Sequence, residues 1–209
     1  SANCSISEKF VDFGCLRRQN IDWKKEAEDF RKQLDTATRE KDIQDYIKNN
    51  KKWFIPASLF RAYDFGHHEA YLYCEPQLGS EYRADYLLLG KNSLGYHIVL
   101  VEFEGVDVAF KNQTSNSETP DVRKGLIQIR DWRAWIDNHR TYFLDSLGIS
   151  NIDKKIPSWG FRYCLVVGRR NKMDEASNQL RRQLEKDNQI IIPTYDRLAD
   201  YIACLYNGF

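Results

Sequence analysis

The chain alternates between stretches with apolar residues at helical spacing and short runs that are almost entirely apolar. Trp23, Ala27, Phe30 and Leu34 lie three or four residues apart, so they share one face of a helix. The same spacing predicts helices over residues 38–49, 121–143, 174–186 and 195–206. Residues 1–20 lack such a pattern and are expected to be irregular.

Runs rich in Val, Ile, Leu and Tyr predict β-strands in the middle of the chain. Residues 70–74, 82–89 and 96–104 are separated by the turn signals Pro-Gln-Leu-Gly and Gly-Lys-Asn-Ser, which predicts a three-stranded meander. Residues 161–167 and 189–192 are predicted to form two more strands. This order of elements predicts an α/β fold with a mixed central sheet flanked by helices.

The composition indicates one globular domain, for which we expect a lead-in over residues 1–37 and the main domain over residues 38–209. Hydrophobic residues make up 42% and charged residues 29%, both ordinary values. No apolar run is long enough to span a bilayer, so no membrane partner is expected. The net charge of +1 means that any nucleic-acid surface has to be a local patch.

The cysteines and the chain start bear on the origin of the protein. Five cysteines lie far apart and form no Cys-x-x-Cys pair, which favours free thiols in a reducing cytoplasm. The chain begins Ser-Ala-Asn and its one methionine is Met173. We therefore expect it to be either a domain taken from a longer protein or a processed chain.

Two glutamates end the apolar run IVLVEFE, residues 98–104. Alternation along a strand places Glu102 and Glu104 on one face, about 7 Å apart. Paired negative charge beside a buried strand is costly unless a cation or a proton neutralises it. If the strands predicted over residues 82–89 and 96–104 pair as neighbours, Asp85 reaches the same end. Such carboxylates suit Mg²⁺ or Mn²⁺, which can activate water for attack on a phosphodiester; polar strand ends facing water are the alternative.

The helix that follows adds an amide and an ammonium group. Gln128 lies one turn before Trp132, and Lys124 lies one turn before Gln128, so the three share a face. A glutamine amide can orient a metal-bound water, and a lysine can stabilise charge on a reacting phosphate. Alternatively, Gln128 binds a neighbouring loop and Lys124 is a surface lysine.

These residues resemble the PD-(D/E)XK nuclease superfamily, with a strand aspartate, Glu-x-Glu on the next strand and Gln-x-x-x-aromatic on a helix. The RecB-like branch is the most similar. More narrowly, the chain resembles the nuclease domain of Shedu anti-phage defence proteins over roughly residues 38–200. The segments that carry the resemblance are EKDIQDYIKNN, YRADYLLL, HIVLVEFEG, GLIQIRDWRAWI, YCLVVGRR and TYDRL.

The resemblance implies a restriction-endonuclease-like fold with an αβββαβ core and a bound Mg²⁺ or Mn²⁺ ion. It implies Asp85 and Glu102 as metal ligands and Gln128 as the helix glutamine. It also implies that Glu40, an acid on the leading helix, can complete the metal shell; an exposed helix glutamate paired with Lys41 or Gln44 is the alternative.

Glu104 departs from the superfamily pattern because it stands where a lysine is usual. Three interpretations stay open. Lys124 or Lys111 supplies the positive charge, Glu104 holds a second metal ion, or the site binds without cutting.

Two basic segments are candidates for contact with nucleic acid. Arg169, Arg170 and Lys172 follow a buried strand, and arginine suits bidentate binding of phosphate; a solvated loop or structural ion pairs are the alternative. Lys51 and Lys52 lie beside an aromatic residue and could follow a nucleic-acid strand, or they simply end a helix.

Other catalytic centres are excluded by their missing residues. His67 and His68 would point to opposite faces of an extended segment, and no partner stands at zinc-ligand spacing. The sequence has no Ser/His/Asp triad pattern and no glycine-rich phosphate loop. The resemblance therefore implies a cytoplasmic, Mg²⁺-dependent DNA endonuclease domain of a bacterial defence protein, acting on double-stranded DNA as a homo-oligomer. The alternative is an inactive nuclease-fold module that binds nucleic acid or mediates assembly.

Overall fold

The computed structural model describes residues 9–149 and 156–207. The strands are β1 (Phe10–Asp12), β2 (Glu69–Cys74), β3 (Gln77–Leu78), β4 (Tyr82–Arg83), β5 (Tyr86–Asn92), β6 (Gly95–Phe103) and β7 (Phe161–Val166). Five of them form a central sheet in the order β1-β2-β5-β6-β7, and β3 and β4 form a separate ribbon. Neighbours in the central sheet are antiparallel except β6 and β7, which are parallel. The predicted meander is therefore β2-β5-β6.

Helices cover both faces of this sheet. They are α1 (Phe13–Arg18), α2 (Trp23–Thr36), α3 (Glu40–Asn49), α4 (Phe54–Ala57), α5 (Pro120–Ser146), α6 (Glu175–Asn188) and α7 (Tyr195–Ala203). Val99 and Val101 of β6 belong to the core shared with α1–α4 and α7, whereas Ile98 and Leu100 belong to the core shared with α5 and α6. The alternation of strand side chains thus builds two cores. The α/β fold class and the order αβββαβ, as α3-β2-β5-β6-α5-β7, are confirmed.

Helix α5 is the main cover on the second face. It starts at Pro120, at the first helical position, where the missing N–H of proline costs no hydrogen bond. Leu126, Ile129 and Trp132 are buried against the sheet. Non-helical backbone at His139 (φ −133°, ψ 21°) kinks the helix near its end.

The strand predicted over residues 82–89 is interrupted. Tyr82–Arg83 pairs with β3, and β5 begins only at Tyr86. At its other end β5 continues through Gly90, where a turn was predicted. Gly90 serves packing there, because a Cβ would lie 2.6 Å from the Phe65 ring.

The structure differs from the predicted elements in two further segments. Residues 189–192 are not a strand and form only an isolated parallel bridge between Cys164 and Ile191. Residues 9–18, predicted to be irregular, form β1 and α1, because apolar side chains such as Phe10 and Phe13 are buried. Residues 1–8 lie outside the described part of the chain. The domain boundary at residue 37 stays a prediction, and α1 and α2 pack into the same core as α3 and α7.

Two structural findings bear on the setting of the protein. No described helix is long and apolar enough to cross a membrane. Cys15, Cys74, Cys164 and Cys204 carry free thiols; Cys4 lies outside the described residues.

Candidate active site

Asp85 lies across the carboxyl end of β6. It immediately precedes β5, and because Tyr86 pairs with Val101, Asp85 stands beside Glu102. Its Oδ2 accepts the backbone N–H of Phe103 at 2.7 Å, and its own N–H donates to the Val101 carbonyl at 3.1 Å. Asp85 is therefore fixed by β6, although it lies in neither strand.

Glu102 and Glu104 are both buried at this end of β6, with 8% and 5% of their surfaces exposed. Glu104 follows the last residue of the strand, and its N–H donates to the Val166 carbonyl of β7 at 2.9 Å. Its carbonyl accepts a hydrogen bond from the Tyr195 hydroxyl of α7. The backbone of Glu104 is thus held from two sides.

Helix α5 presents Gln128 to both glutamates. With its amide nitrogen turned towards them, Gln128 donates to Glu104 Oε1 at 2.7 Å and to Glu102 Oε1 at 3.1 Å. One turn earlier, Lys124 Nζ lies 3.9 Å from Glu104 Oε2, and the lysine side chain is 68% exposed. The helix therefore supplies a close neutral donor and a solvated cation at the edge of the cluster.

The close approach of α5 depends on Gly125. A Cβ at this position would lie 2.5 Å from Leu165 Cδ1 and 3.1 Å from Glu104 Cγ. A larger residue would push the helix, and Gln128 with it, away from the acids.

Burial raises the pKa of all three acids. It raises the pKa of Glu104 to about 7, against the opposing charge of Lys124. Burial also raises the pKa of Glu102, and the nearby charges of Asp85 and Glu104 raise it further. For Asp85, burial raises the pKa more than the hydrogen bond from Phe103 lowers it. The cluster therefore favours the uptake of protons or of a cation.

Helix α3 closes the site from the other side. Glu40, its first residue, is half-buried, and its charge contributes to the raised pKa of each of the three acids. One turn later, buried Gln44 accepts a hydrogen bond from the Tyr86 hydroxyl, while its Nε2 has no partner within the described ranges.

Sequence reasoning missed Gln44 and Tyr195 as parts of this site. A signal for Gln44 existed, because it lies between Ile43 and Ile47 on the apolar side of α3, one turn after Glu40. Tyr195 had no comparable signal, since its contact with Glu104 joins residues that are far apart in the chain.

The donors of the cluster suit a hard divalent cation. Glu102 Oε2 is buried without a hydrogen-bond partner in the described part of the chain. Within residues 9–149 and 156–207, no group of three or more His, Cys, Asp or Glu side chains is arranged to hold a metal ion. Binding of a metal ion by Asp85, Glu102, Glu104 or Glu40 stays a prediction. Mg²⁺, however, commonly takes one or two protein carboxylates and completes its shell with water and phosphate, so Asp85 and Glu102 fit this ion.

The segment after β7 lies at the same edge of the sheet, and its first arginine is paired. Arg169 binds Asp196 at 3.1 Å and Asp35 at 3.0 Å, and its side chain is only 14% exposed. Asp196 also accepts the backbone N–H of Arg170 at 2.7 Å. The side chain of Arg169 thus ties the segment to α7 and to α2.

Of the other basic candidates, all but Lys51 are also paired with acids among the described residues. The pairs are Arg170 with Asp200, Lys172 with Asp107 at 2.5 Å, and Lys52 with Glu26 at 2.6 Å. Lys51 is exposed at the end of α3, in left-handed backbone with φ 51°. The pairs agree with the alternative of structural ion pairs, and contact of these residues with nucleic acid stays a prediction.

Comparison with known proteins identifies the family. The family described as "Shedu protein SduA, C-terminal" matches residues 37–199, or 163 of the 209 residues. The chain belongs to this Shedu family. No curated protein matches the Shedu chain.

Among solved structures, the Shedu chain is similar to the restriction endonuclease FokI, whose structure is titled as bound to DNA. The TM-score is 0.43 and the sequence identity is 9%. The match covers 91% of the Shedu chain and 31% of the FokI chain, so the Shedu chain spans less than a third of FokI. The likeness is distant and carries no argument about chemistry.

Proposed function

We propose that this chain is a metal-dependent deoxyribonuclease domain that hydrolyses phosphodiester bonds in double-stranded DNA during defence against phage. The observation that carries the proposal is the cluster of half-buried Asp85 with buried Glu102 and Glu104, three acids with raised pKa values at one strand end. Such uncompensated groups are frequent at functional sites. Membership of the Shedu family supports the link to defence.

In this proposal Asp85 and Glu102 hold Mg²⁺ or Mn²⁺. When bound, the ion supplies Lewis-acid stabilisation of phosphate charge and lowers the pKa of water. The hydrogen bond from Phe103 to Asp85 Oδ2 leaves Oδ1 available as a ligand. Gln128 holds Oε1 of both glutamates, so it fixes the separation between the ligand Glu102 and its neighbour Glu104.

Glu104 has the properties of a general base. Its pKa of about 7 lies close to neutral pH, where a base has both an ionised fraction and driving force for proton transfer. Gln128 occupies Oε1, so Oε2 is the atom that would accept a proton from the attacking water. Lys124, near Oε2, would stabilise negative charge on the phosphate. Glu104 thus has its own role at the position where the superfamily usually has lysine.

A second candidate function is binding of nucleic acid without cleavage. The observation that favours it is the same residue, because Glu104 is an acid and its nearest described cation, Lys124, is largely solvated. In that case the acids would be the remnant of a site that lost its lysine.

The test measures nicking of supercoiled plasmid and degradation of linear DNA in Mg²⁺ or Mn²⁺. Asp85→Asn and Glu102→Gln are expected to abolish cleavage, whereas Glu28→Gln, an exposed acid of α2, is the matched control and should cleave normally. Cleavage retained by both site variants would contradict the proposal.

Glu104→Lys separates the two candidates. Loss of cleavage in this variant supports Glu104 as the base. Cleavage that appears only in this variant supports the inactive binder, as does DNA retention by the unaltered protein without cleavage in either cation. Assembly as a homo-oligomer stays a prediction that light scattering can check.

A further inference from the structure

A pocket of about 100 Å³ lies between α6 and the start of α7. Its polar walls include Arg170, Asn178, Arg181, Thr194 and Arg197. The volume exceeds the roughly 30 Å³ that one water occupies in the liquid, so the pocket can hold a small oxyanion. Three guanidinium groups around one small cavity form a positively charged site.

Two of the three arginines are positioned by carboxylates outside the pocket lining. Arg181 binds Glu185 at 3.2 Å, and Arg170 binds Asp200. A guanidinium has five N–H donors, so each of these pairs fixes the fork and leaves donors free for an anion.

Arg197 is the uncompensated member. It is exposed, and its guanidinium has no ion pair or side-chain hydrogen bond in the part of the chain that the structure describes. This sets it apart from Arg169, whose charge is neutralised by two aspartates.

The helix α7 adds a second attraction for an anion. Thr194 is its N-cap residue, and the Thr194 side chain makes no capping hydrogen bond. The nine-residue helix adds the positive end of its dipole at the wall of the pocket, and Asp196, the acid in its first turn, is already paired with Arg169.

The pocket lies at the same edge of the sheet as the acids. Arg170 follows β7, which is parallel to β6, and the Gly168 N–H donates to the Gly105 carbonyl at 2.8 Å. Tyr195, next to Thr194, binds the carbonyl of Glu104. A strand whose reacting phosphate lies at the acids can thus place another phosphate towards the pocket.

We propose that this arginine pocket binds a phosphate group, with Arg197 as its main free donor, and that the phosphate belongs to the backbone of the bound nucleic acid. The nucleic-acid source rests on the proposed function, whereas the binding of phosphate does not. Free inorganic phosphate is the other source of the same chemistry.

The first arm of the test measures thermal unfolding in inorganic phosphate against chloride of equal ionic strength. Phosphate is expected to raise the Tm by about 2–4 °C, and Arg197→Ala should remove this shift. Arg182→Ala, an exposed arginine of α6 outside the pocket, is the matched control and should keep it.

The second arm measures binding of a labelled DNA duplex without divalent cation over a range of salt. Arg197→Ala is expected to weaken binding about tenfold and to reduce the salt slope by about one, whereas Arg182→Ala should do neither.

Equal behaviour of the two variants in both arms would overturn the proposal. A phosphate shift lost only in Arg197→Ala, with equal DNA binding by both variants, assigns the pocket to free phosphate. If the unaltered protein binds no DNA at all while the phosphate shift is present, the proposed function fails and the pocket stands.

Discussion

Two charged regions at one edge of the sheet differ in how their charges are compensated. Half-buried Arg169 pairs with Asp35 and Asp196, so positive and negative groups are matched. Glu102 and Glu104 are buried more deeply, and they have one neutral amide and a solvated lysine as partners. The first arrangement is that of a structural ion pair. The second leaves buried acids without a matching cation, as is frequent at functional sites.

The difference teaches where function should be sought. Sequence reasoning gave weight to a run of basic residues after a strand, yet the structure matches those charges within the protein. The charges without a matching partner are those of the acids Glu102 and Glu104. Substitutions should therefore have opposite effects on stability in the two regions.

The largest expected effect on stability comes from breaking the matched pair. Arg169→Ala should lower the free energy of unfolding by about 3 kcal/mol, because Asp196 would lose its main partner while partly buried. Denaturant unfolding measures this change. Arg182→Ala, on the surface, should stay within about 0.5 kcal/mol of the unaltered protein. A similarly small loss for Arg169→Ala would contradict the structural role.

The next effect has the opposite sign. At pH 8 and without divalent cations, Glu102→Gln should raise the free energy of unfolding by about 1.4 kcal/mol or more, the equivalent of one pKa unit. Because its pKa is raised, Glu102 takes up a proton on folding, which costs free energy at this pH, whereas glutamine is already neutral. Glu26→Gln makes the same chemical change at an acid paired with Lys52 at 2.6 Å, so it should destabilise. If both variants lose stability alike, the contrast between the two regions is broken.

A smaller effect is the dependence of stability on pH. The pKa of Glu104 is about 7 in the folded protein, against an ordinary value of 4.5. Between pH 4.5 and 7 the folded state therefore binds a proton at Glu104 that the unfolded state has released. The stability that depends on protonated Glu104 is complete below about pH 4.5 and is lost as the pH rises through 7. Relative to Glu104→Gln, the unaltered protein should lose about 1 kcal/mol between about pH 6.5 and 8.5. Parallel stability profiles of the two proteins would refute this assignment.

The smallest effect belongs to Lys124. Its Nζ is 3.9 Å from Glu104 and its side chain is largely exposed, so Lys124→Ala should change stability by less than about 0.5 kcal/mol. Cleavage kinetics sharpen the comparison. A loss of a few-fold agrees with a peripheral cation, whereas a loss of about 100-fold would make Lys124 the functional replacement for the missing lysine.

Much of the fold follows from local pattern. Apolar periodicity located α2, α3, α5, α6 and α7, and strand composition located the meander and β7. The prediction of a turn failed at Gly90, because glycine occurs both in turns and where a side chain would leave no room for packing. Gly90 looks like a turn residue, but it lies within β5 because aromatic rings pack against it.

The site could be predicted in part for a related reason. Strand alternation and the register of a hairpin bring Asp85 close to Glu102, and both can be read from local sequence together with a family resemblance. The pairing of Arg169 with Asp35 and Asp196 could not be predicted, because it joins residues 134 and 27 positions away. The unpartnered nitrogen of Gln44 likewise depends on how α3 packs.

Gly125 has a consequence for interpreting variants of this chain. A single methyl group at this position would meet Leu165 and Glu104 while leaving every acid in the sequence intact. A variant can therefore keep all of its carboxylates and still lose the spacing between them. The glycine on α5 belongs to the site as much as the acids that it allows the helix to approach.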